Sequence, residues 1–130
     1  MIIGFGNDLL HIERIRKLYD RFGQRFLDRV YTDQEQDYAF LQKDPTRRLA
    51  LRFAAKEACA KALGVGLRSG VNMKDIEVVA MSNRKPTLLL YGKAQKILLD
   101  LVPSHYQPRL DLALSDEPPY VLANVILSAY

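Results

Sequence analysis

Apolar and polar positions along this chain switch between strand-like and helical periods, and the switches divide it into elements. Met1 to Gly6 is an apolar run too brief for a helix, which predicts a short buried strand. Asn7 and Asp8 stand where a helix cap would follow. Leu9 to about Arg29 is helical in period, with Leu10, Ile15, Leu18, Phe22 and Phe26 as apolar contacts. Gly23 is expected to kink or interrupt that helix. Val30 to Thr46 predicts a turn and a polar helix. Thr32-Asp33-Gln34-Glu35 forms its capped start, and Tyr38, Phe40 and Leu41 are its packing residues. Lys43-Asp44-Pro45-Thr46 breaks it.

The strongest helix signal runs from Arg48 to Gly66 and contains six alanines and three leucines. Gly64 is its expected stop, since glycine accepts the left-handed cap conformation. At about 100° per residue, Leu51, Ala54, Ala55, Ala58 and Ala62 share one face. Leu49, Phe53 and Ala60 form a second strip almost opposite. A helix with two apolar strips is covered on two sides, hence central. Glu57 and Lys61 occupy one gap between the strips at i, i+4; Arg48, Arg52 and Lys56 occupy the other. Such a helix could gather a polyanion and a metal. On pattern alone, an ordinary Glu–Lys pair and a solvated basic face is the favoured reading.

Beyond it, Gly64 to Gly70 reads as a glycine-rich loop. Ile76 to Met81 and Thr87 to Tyr91 predict a hairpin closed by Ser82-Asn83-Arg84-Lys85-Pro86. Gly92 to Leu101 predicts a short amphipathic helix, and Val102 to Pro108 a loop. Leu110, Leu112 and Leu114 alternate with Asp111, Ala113 and Ser115, as in a half-buried strand. Asp116 to Tyr120 turns into a last strand, Val121 to Ala129. That strand is apolar on both faces apart from Asn124, and surface of that kind suits an interface.

Composition narrows the class. The 130 residues suggest one domain spanning 1–130, large enough to bury its own core. A net charge of +4 suits an acidic partner or a phosphate ligand without choosing between nucleic acid, nucleotide and acidic protein. Arg14, Arg21 and Arg25 recur along one helical stripe, with Arg16, Lys17 and Arg29 around it. One cysteine, Cys59, excludes an internal disulfide and suits a small buried role. Two histidines far apart, His11 and His105, do not suggest a metal site. The start lacks a basic leader, and no apolar run approaches membrane length, so an intracellular, cytoplasmic protein is expected.

The block Arg52-Phe53-Ala54-Ala55-Lys56-Glu57-Ala58, followed by Lys61, Ala62, Gly64 and Gly66, resembles the signature of the holo-acyl-carrier-protein synthases, the short 4′-phosphopantetheinyl transferases. Gly6-Asn7-Asp8 resembles their Gly-x-Asp, with Asn7 in place of the common threonine. Lys85-Pro86 resembles their Gly-Lys-Pro, with Arg84 in place of glycine. Asp116 stands where the family often has the histidine of Ser-x-Ser-His, so a histidine base is not expected there.

The resemblance implies an α+β fold with the central helix packed on a small antiparallel sheet. It implies transfer of the 4′-phosphopantetheine arm of coenzyme A to a serine of apo acyl carrier protein, in fatty acid biosynthesis, with release of 3′,5′-ADP. It implies Mg²⁺ on Asp8 and Glu57, with Lys61 as a further catalytic residue. Coenzyme A would be held by Arg52, Lys56, Lys61, Gly64, Lys85 and Pro86, and the carrier by Arg14, Arg21 and Arg25. It also implies a homotrimer with shared active sites. The serine's base is left open among Asp8, Glu57 and a metal-bound water. A basic nucleic-acid-binding module and a structural protein are the rival readings; neither needs both Asp8 and Glu57.

Overall fold

The computed structural model describes residues 1–66, 70–80 and 85–130. In chain order the elements are β1 (Ile2–His11), α1 (Ile12–Phe22), α2 (Gln24–Val30), α3 (Asp33–Ala39), α4 (Thr46–Ala62), β2 (Ile76–Val79), β3 (Thr87–Leu90), α5 (Gly92–Leu101), β4 (Pro108–Glu117) and β5 (Tyr120–Ala129). A 3-10 turn over Met73–Asp75 leads into β2. Leu67 to Ser69 of the expected glycine loop lie outside the described residues. So do Met81, at the end of the first hairpin strand, and Ser82 to Arg84 of its turn.

The frame is α+β, as expected. An antiparallel sheet of order β1-β5-β4 carries α4 across one face. The period of two sorts β5 cleanly. Val121, Ala123, Val125, Leu127 and Ala129 are buried toward α4, while Leu122, Asn124, Ile126 and Ser128 turn outward. On its other sides α4 meets α1, α3 and β2. Leu49, Ala54, Ala55, Ala58 and Cys59 are fully enclosed, which explains the two apolar strips. Burial also pushes the Cys59 thiol up to about 12 and keeps it unreactive.

Two glycines let α4 come this close. A Cβ on Gly6 would lie 2.0 Å from the Ala58 carbonyl oxygen, and one on Gly4 would lie 2.1 Å from that of Ala62. Both glycines share the inward face of β1 with Asp8 and Leu10, because residues two apart point the same way. The contact that seats the helix therefore also sets the place of Asp8.

The sequence expectations need three local corrections. β1 does not stop at Gly6 but runs on to His11, so Asn7 and Asp8 are strand residues and not caps. Pairing with β5 along its length, Asp8 opposite Ala123 and His11 opposite Tyr120, outweighs the local capping signal. The cap of α1 is His11, whose Nδ1 accepts the Glu13 amide at 3.1 Å. Phe40 and Leu41 are exposed, because α3 ends at Ala39 and the chain turns outward there; Phe40 meets Tyr19 edge to face. Lys56 does not lie in an open basic gap. It is fully buried, with Nζ 2.7 Å from Glu35 Oε1.

The remaining breaks follow the residues that signalled them. Gly23, at φ +57°, separates α1 from α2 in the left-handed region where a side chain is strained. Thr32 and Glu35 close a reciprocal capping box at α3. Val79 pairs with Thr87 at the turn end of the β2–β3 hairpin, and Ile76 with Leu90 at its open end. Gly64, at φ +76°, donates its amide to the Lys61 carbonyl at 3.0 Å just past the end of α4.

Candidate active site

Charged side chains gather at the two edge strands of the sheet. At the β1 edge, Asp8 projects toward the C-terminal half of α4, where Glu57 and Lys61 stand one turn apart. Lys61 Nζ donates to the Asn7 carbonyl at 2.8 Å and lies 3.4 Å from Asp8 Oδ1. The Lys61 side chain is half exposed, whereas Asp8 is mostly covered.

The electrostatics show why this cluster is not an ordinary helical ion pair. Burial pushes the Asp8 carboxyl up, against the pull of Lys61 and Arg14. Burial also pushes Glu57 up, and the neighbouring Asp8 charge pushes it further. The two carboxylates are thus close enough to repel, and both feel Arg14 from α1. Paired, half-buried carboxylates are relieved by a hard cation, and magnesium takes one or two such ligands beside phosphate and water. Among the described residues no three His, Cys, Asp or Glu side chains form a metal cluster. Asp8 and Glu57 would supply the carboxylates for such a cation.

At the β4 edge, Arg47, Arg48 and Arg52 of α4 line a cavity of about 250 Å³ with Tyr38, Pro86 and Leu114. Tyr38 organises two of them. The Arg48 and Arg52 guanidinium carbons lie 4.0 and 4.1 Å from its ring centroid, and Arg48 Nη1 donates to its carbonyl at 2.7 Å. Arg52 is 4% exposed, and its Nε has no hydrogen-bond partner among the described residues. A buried cation with an unmet donor favours an anion entering the cavity.

The expected coenzyme A residues therefore divide. Arg52 and Pro86 line the arginine cavity, with Lys85 exposed beside Pro86. Lys61 stands beside Asp8 near the end of α4, and Gly64 follows two residues past that end. Lys56 joins neither group. Its Nζ also donates to the Met73 carbonyl at 2.9 Å and to that of Ile76, and these bonds tie α4 to the start of β2. Glu35 Oε2 accepts the Val78 amide at 2.9 Å, so the pair pins α3 to the same strand.

The arginine stripe is exposed, and the break at Gly23 divides it between two helices. Arg14 and Arg21 flank a groove of about 580 Å³ with His11, Leu18 and Phe22. Arg25 lines an adjoining groove of about 280 Å³ between α1 and α2 that shares Leu18 and Phe22 with the first. Arg14 also stacks 5.5 Å from the Phe53 ring centroid and acts on both carboxylates, so the groove and the carboxylate site adjoin. Tyr38, Arg47 and Arg48 were missed as cavity residues. Only their closeness in sequence to Arg52 could have suggested two of them.

A carboxylate pair with a lysine on one sheet edge and a buried arginine cavity on the other would suit an extended, phosphate-bearing molecule. The comparisons with known proteins agree. The 4′-phosphopantetheinyl transferase superfamily matches residues 4–123. A holo-[acyl-carrier-protein] synthase of Xanthobacter autotrophicus is 50% identical over 129 residues, covering 99% of this chain and 96% of that protein. The crystal structure of the Neisseria meningitidis synthase superposes with a TM-score of 0.83 at 38% identity, covering 98% of this chain and 99% of that one. The Helicobacter pylori synthase, solved in complex with coenzyme A, gives a TM-score of 0.78 at 30% identity, covering 95% and 99%. The chain belongs to the 4′-phosphopantetheinyl transferase superfamily, and within it to the holo-acyl-carrier-protein synthases. It is therefore an enzyme, and the rival readings as a nucleic-acid-binding module or a structural protein are set aside. Among the described residues, no helix is long and apolar enough to cross a membrane.

Proposed function

We propose that the enzyme transfers the 4′-phosphopantetheine arm of coenzyme A to a serine of apo acyl carrier protein and releases 3′,5′-ADP. The observation that carries this reading is the Asp8–Glu57 pair, both raised by burial and Glu57 further by the Asp8 charge, with Lys61 beside it. Coenzyme A complexes of family members support the substrate. In the reaction the serine Oγ bonds to the β-phosphorus of the pyrophosphate, and the bond from that phosphorus to the bridging oxygen breaks. Magnesium held by Asp8 and Glu57 would neutralise pyrophosphate charge. Lys61 reaches the same region and stabilises charge developing on the leaving oxygen. The serine proton has to pass to a base at this site, and Asp8 and Glu57 are the carboxylates within it. The 3′-phosphate, remote from the reacting bond, suits the arginine cavity around Arg52.

The division of these groups between sheet edges favours a shared site. β1 and β4 flank β5, so the two edge strands lie about 10 Å apart. α4 fills the space between the two charge clusters. A cyclic homotrimer would set the Asp8 edge of one subunit against the arginine cavity of the next. Phe5, Leu9 and Ile126 on the sheet face away from α4 are exposed and suit burial against another copy. In this reading residues 1–130 act as one cytoplasmic domain that supplies holo carrier protein for fatty acid synthesis. Arg14, Arg21 and Arg25 receive the acidic carrier beside the site.

Incubation with apo acyl carrier protein, coenzyme A and magnesium, followed by mass spectrometry, tests the reaction. The expected result is a carrier heavier by one phosphopantetheine; an unmodified carrier would overturn the reading. Sedimentation equilibrium tests the assembly, since a fully active monomer would exclude the shared site.

A further inference from the structure

The three arginines of the cavity are not held alike. Tyr38 contacts Arg48 and Arg52 through its ring and also accepts Arg48 at its carbonyl. Arg47, in the first turn of α4, is held from the sheet. Its Nε donates to Asp116 Oδ2 on β4, while its Nη atoms make no hydrogen bond among the described residues. The Arg47 side chain is 56% exposed, against 27% for Asp116, so the carboxylate is the better anchored partner.

A carboxylate beside an anion cavity opposes the anion through its charge. An offsetting gain arises when it orders a cation that would otherwise move freely. A long exposed arginine loses rotamer freedom when it grips a ligand, and a partner that fixes it beforehand removes part of that loss. Taking Nε leaves the Nη edge of the guanidinium for a phosphate, which planar forks bind well.

We propose that Asp116 is a positioning residue for substrate phosphate, holding Arg47 at the cavity mouth with its Nη edge presented to the 3′-phosphate of coenzyme A. This rests on the reading of that cavity as the 3′-phosphate site. Asp116 touches no substrate and acts through Arg47.

The test is steady-state transfer kinetics with coenzyme A and with dephospho-coenzyme A, which lacks the 3′-phosphate. It uses the wild type, Asp116→Asn, Arg47→Ala and the double variant, with thermal unfolding followed in parallel. Asp116→Asn is expected to raise KM for coenzyme A about three- to tenfold at unchanged kcat and to leave KM for dephospho-coenzyme A alone. The Asp116→Asn effect should vanish in the Arg47→Ala background, and Asp116→Glu should restore much of the loss. If Asp116→Asn does not fold, Arg47→Lys takes its place, since it keeps the charge without the fork and should raise the same KM selectively. An unchanged or lowered KM, an equal rise for both substrates, or an effect that survives Arg47→Ala would overturn the proposal. A wild type that transfers nothing would overturn the reaction instead. A wild type that transfers but does not discriminate the two substrates would overturn the cavity assignment and the proposal with it.

Discussion

Gly6→Ala tests whether the helix–strand contact aligns the site. The new Cβ would lie 2.0 Å from the Ala58 carbonyl oxygen and 2.7 Å from the Ala62 nitrogen. Both are backbone atoms inside α4, so no side chain can swing aside. Strand and helix must separate by about 1 Å to reach a tolerable contact. Overpacking of this kind costs about 3 kcal/mol at the upper end of its usual range. For a chain of this size that is a fall in Tm of about 12 °C. Asp8 lies two residues along the same strand, and Glu57 precedes Ala58 on the helix. The same separation therefore moves the carboxylates apart, and a misplacement of about 1 Å lowers kcat/KM by about 100-fold. Gly4→Ala is the comparator. It meets the Ala62 carbonyl at 2.1 Å, in the last residue of α4, where the helix end can yield, so a smaller loss of about 1–2 kcal/mol is expected. Calorimetry and the transfer assay on both variants decide the matter. A Gly6→Ala protein with wild-type Tm refutes the tight contact. One that is destabilised yet retains full kcat/KM refutes the alignment of the site.

Four further outcomes follow from the same geometry. Asp8→Ala and Glu57→Ala are each expected to abolish transfer in folded protein, and a chelator to silence the wild type; full activity in chelator would remove the metal from the reading. Burial raises both carboxyl groups, so ionising them costs stability as pH rises through their elevated values, and the cost is absent at about pH 3. Asp8→Asn and Glu57→Gln should accordingly raise Tm at neutral pH in metal-free buffer and leave it unchanged in acid, as unfolding curves across pH would show. Arg14→Glu and Arg21→Glu should raise the carrier's KM at least tenfold while leaving that of coenzyme A nearly unchanged, and added salt should act in the same direction. Lys56→Met strands Glu35 in the interior and should cost about 3–5 kcal/mol by denaturant titration, with much of the loss recovered by adding Glu35→Gln.

Local signals were legible where short-range chemistry decides the backbone. The alanines of α4, the stop at Gly64, the break at Gly23 and the Thr32–Glu35 capping box each need only a few neighbouring residues. The boundary near Asp8 was not legible, because β1 is set by a ladder with β5 more than 100 residues away. Asn7-Asp8 carries an honest capping signal, and long-range pairing overrides it. The nearness of Asp8 to Glu57 came from resemblance alone. Its physical cause, Gly4 and Gly6 opening the strand face to the helix, shows only when the two elements are docked.

The fate of the three cations in one gap of α4 shows where helical periodicity stops being informative. Arg48, Arg52 and Lys56 repeat at four-residue spacing, so a helical projection gives them equal standing. What separates them is the partner on the opposing element. Tyr38, on α3, offers a ring and a carbonyl to the two arginines and leaves their cavity accessible to an anion. Glu35, one turn earlier on the same helix, meets Lys56 with a carboxylate and fills its coordination together with two backbone carbonyls. Burial lowers the lysine's pKa, with a smaller push from the Arg52 charge, and the Glu35 charge opposes that fall. A cation satisfied in this way has no donor left to offer a ligand. The identities of the residues on α3 thus divide one basic stripe into a cavity open to an anion and a rivet for the fold.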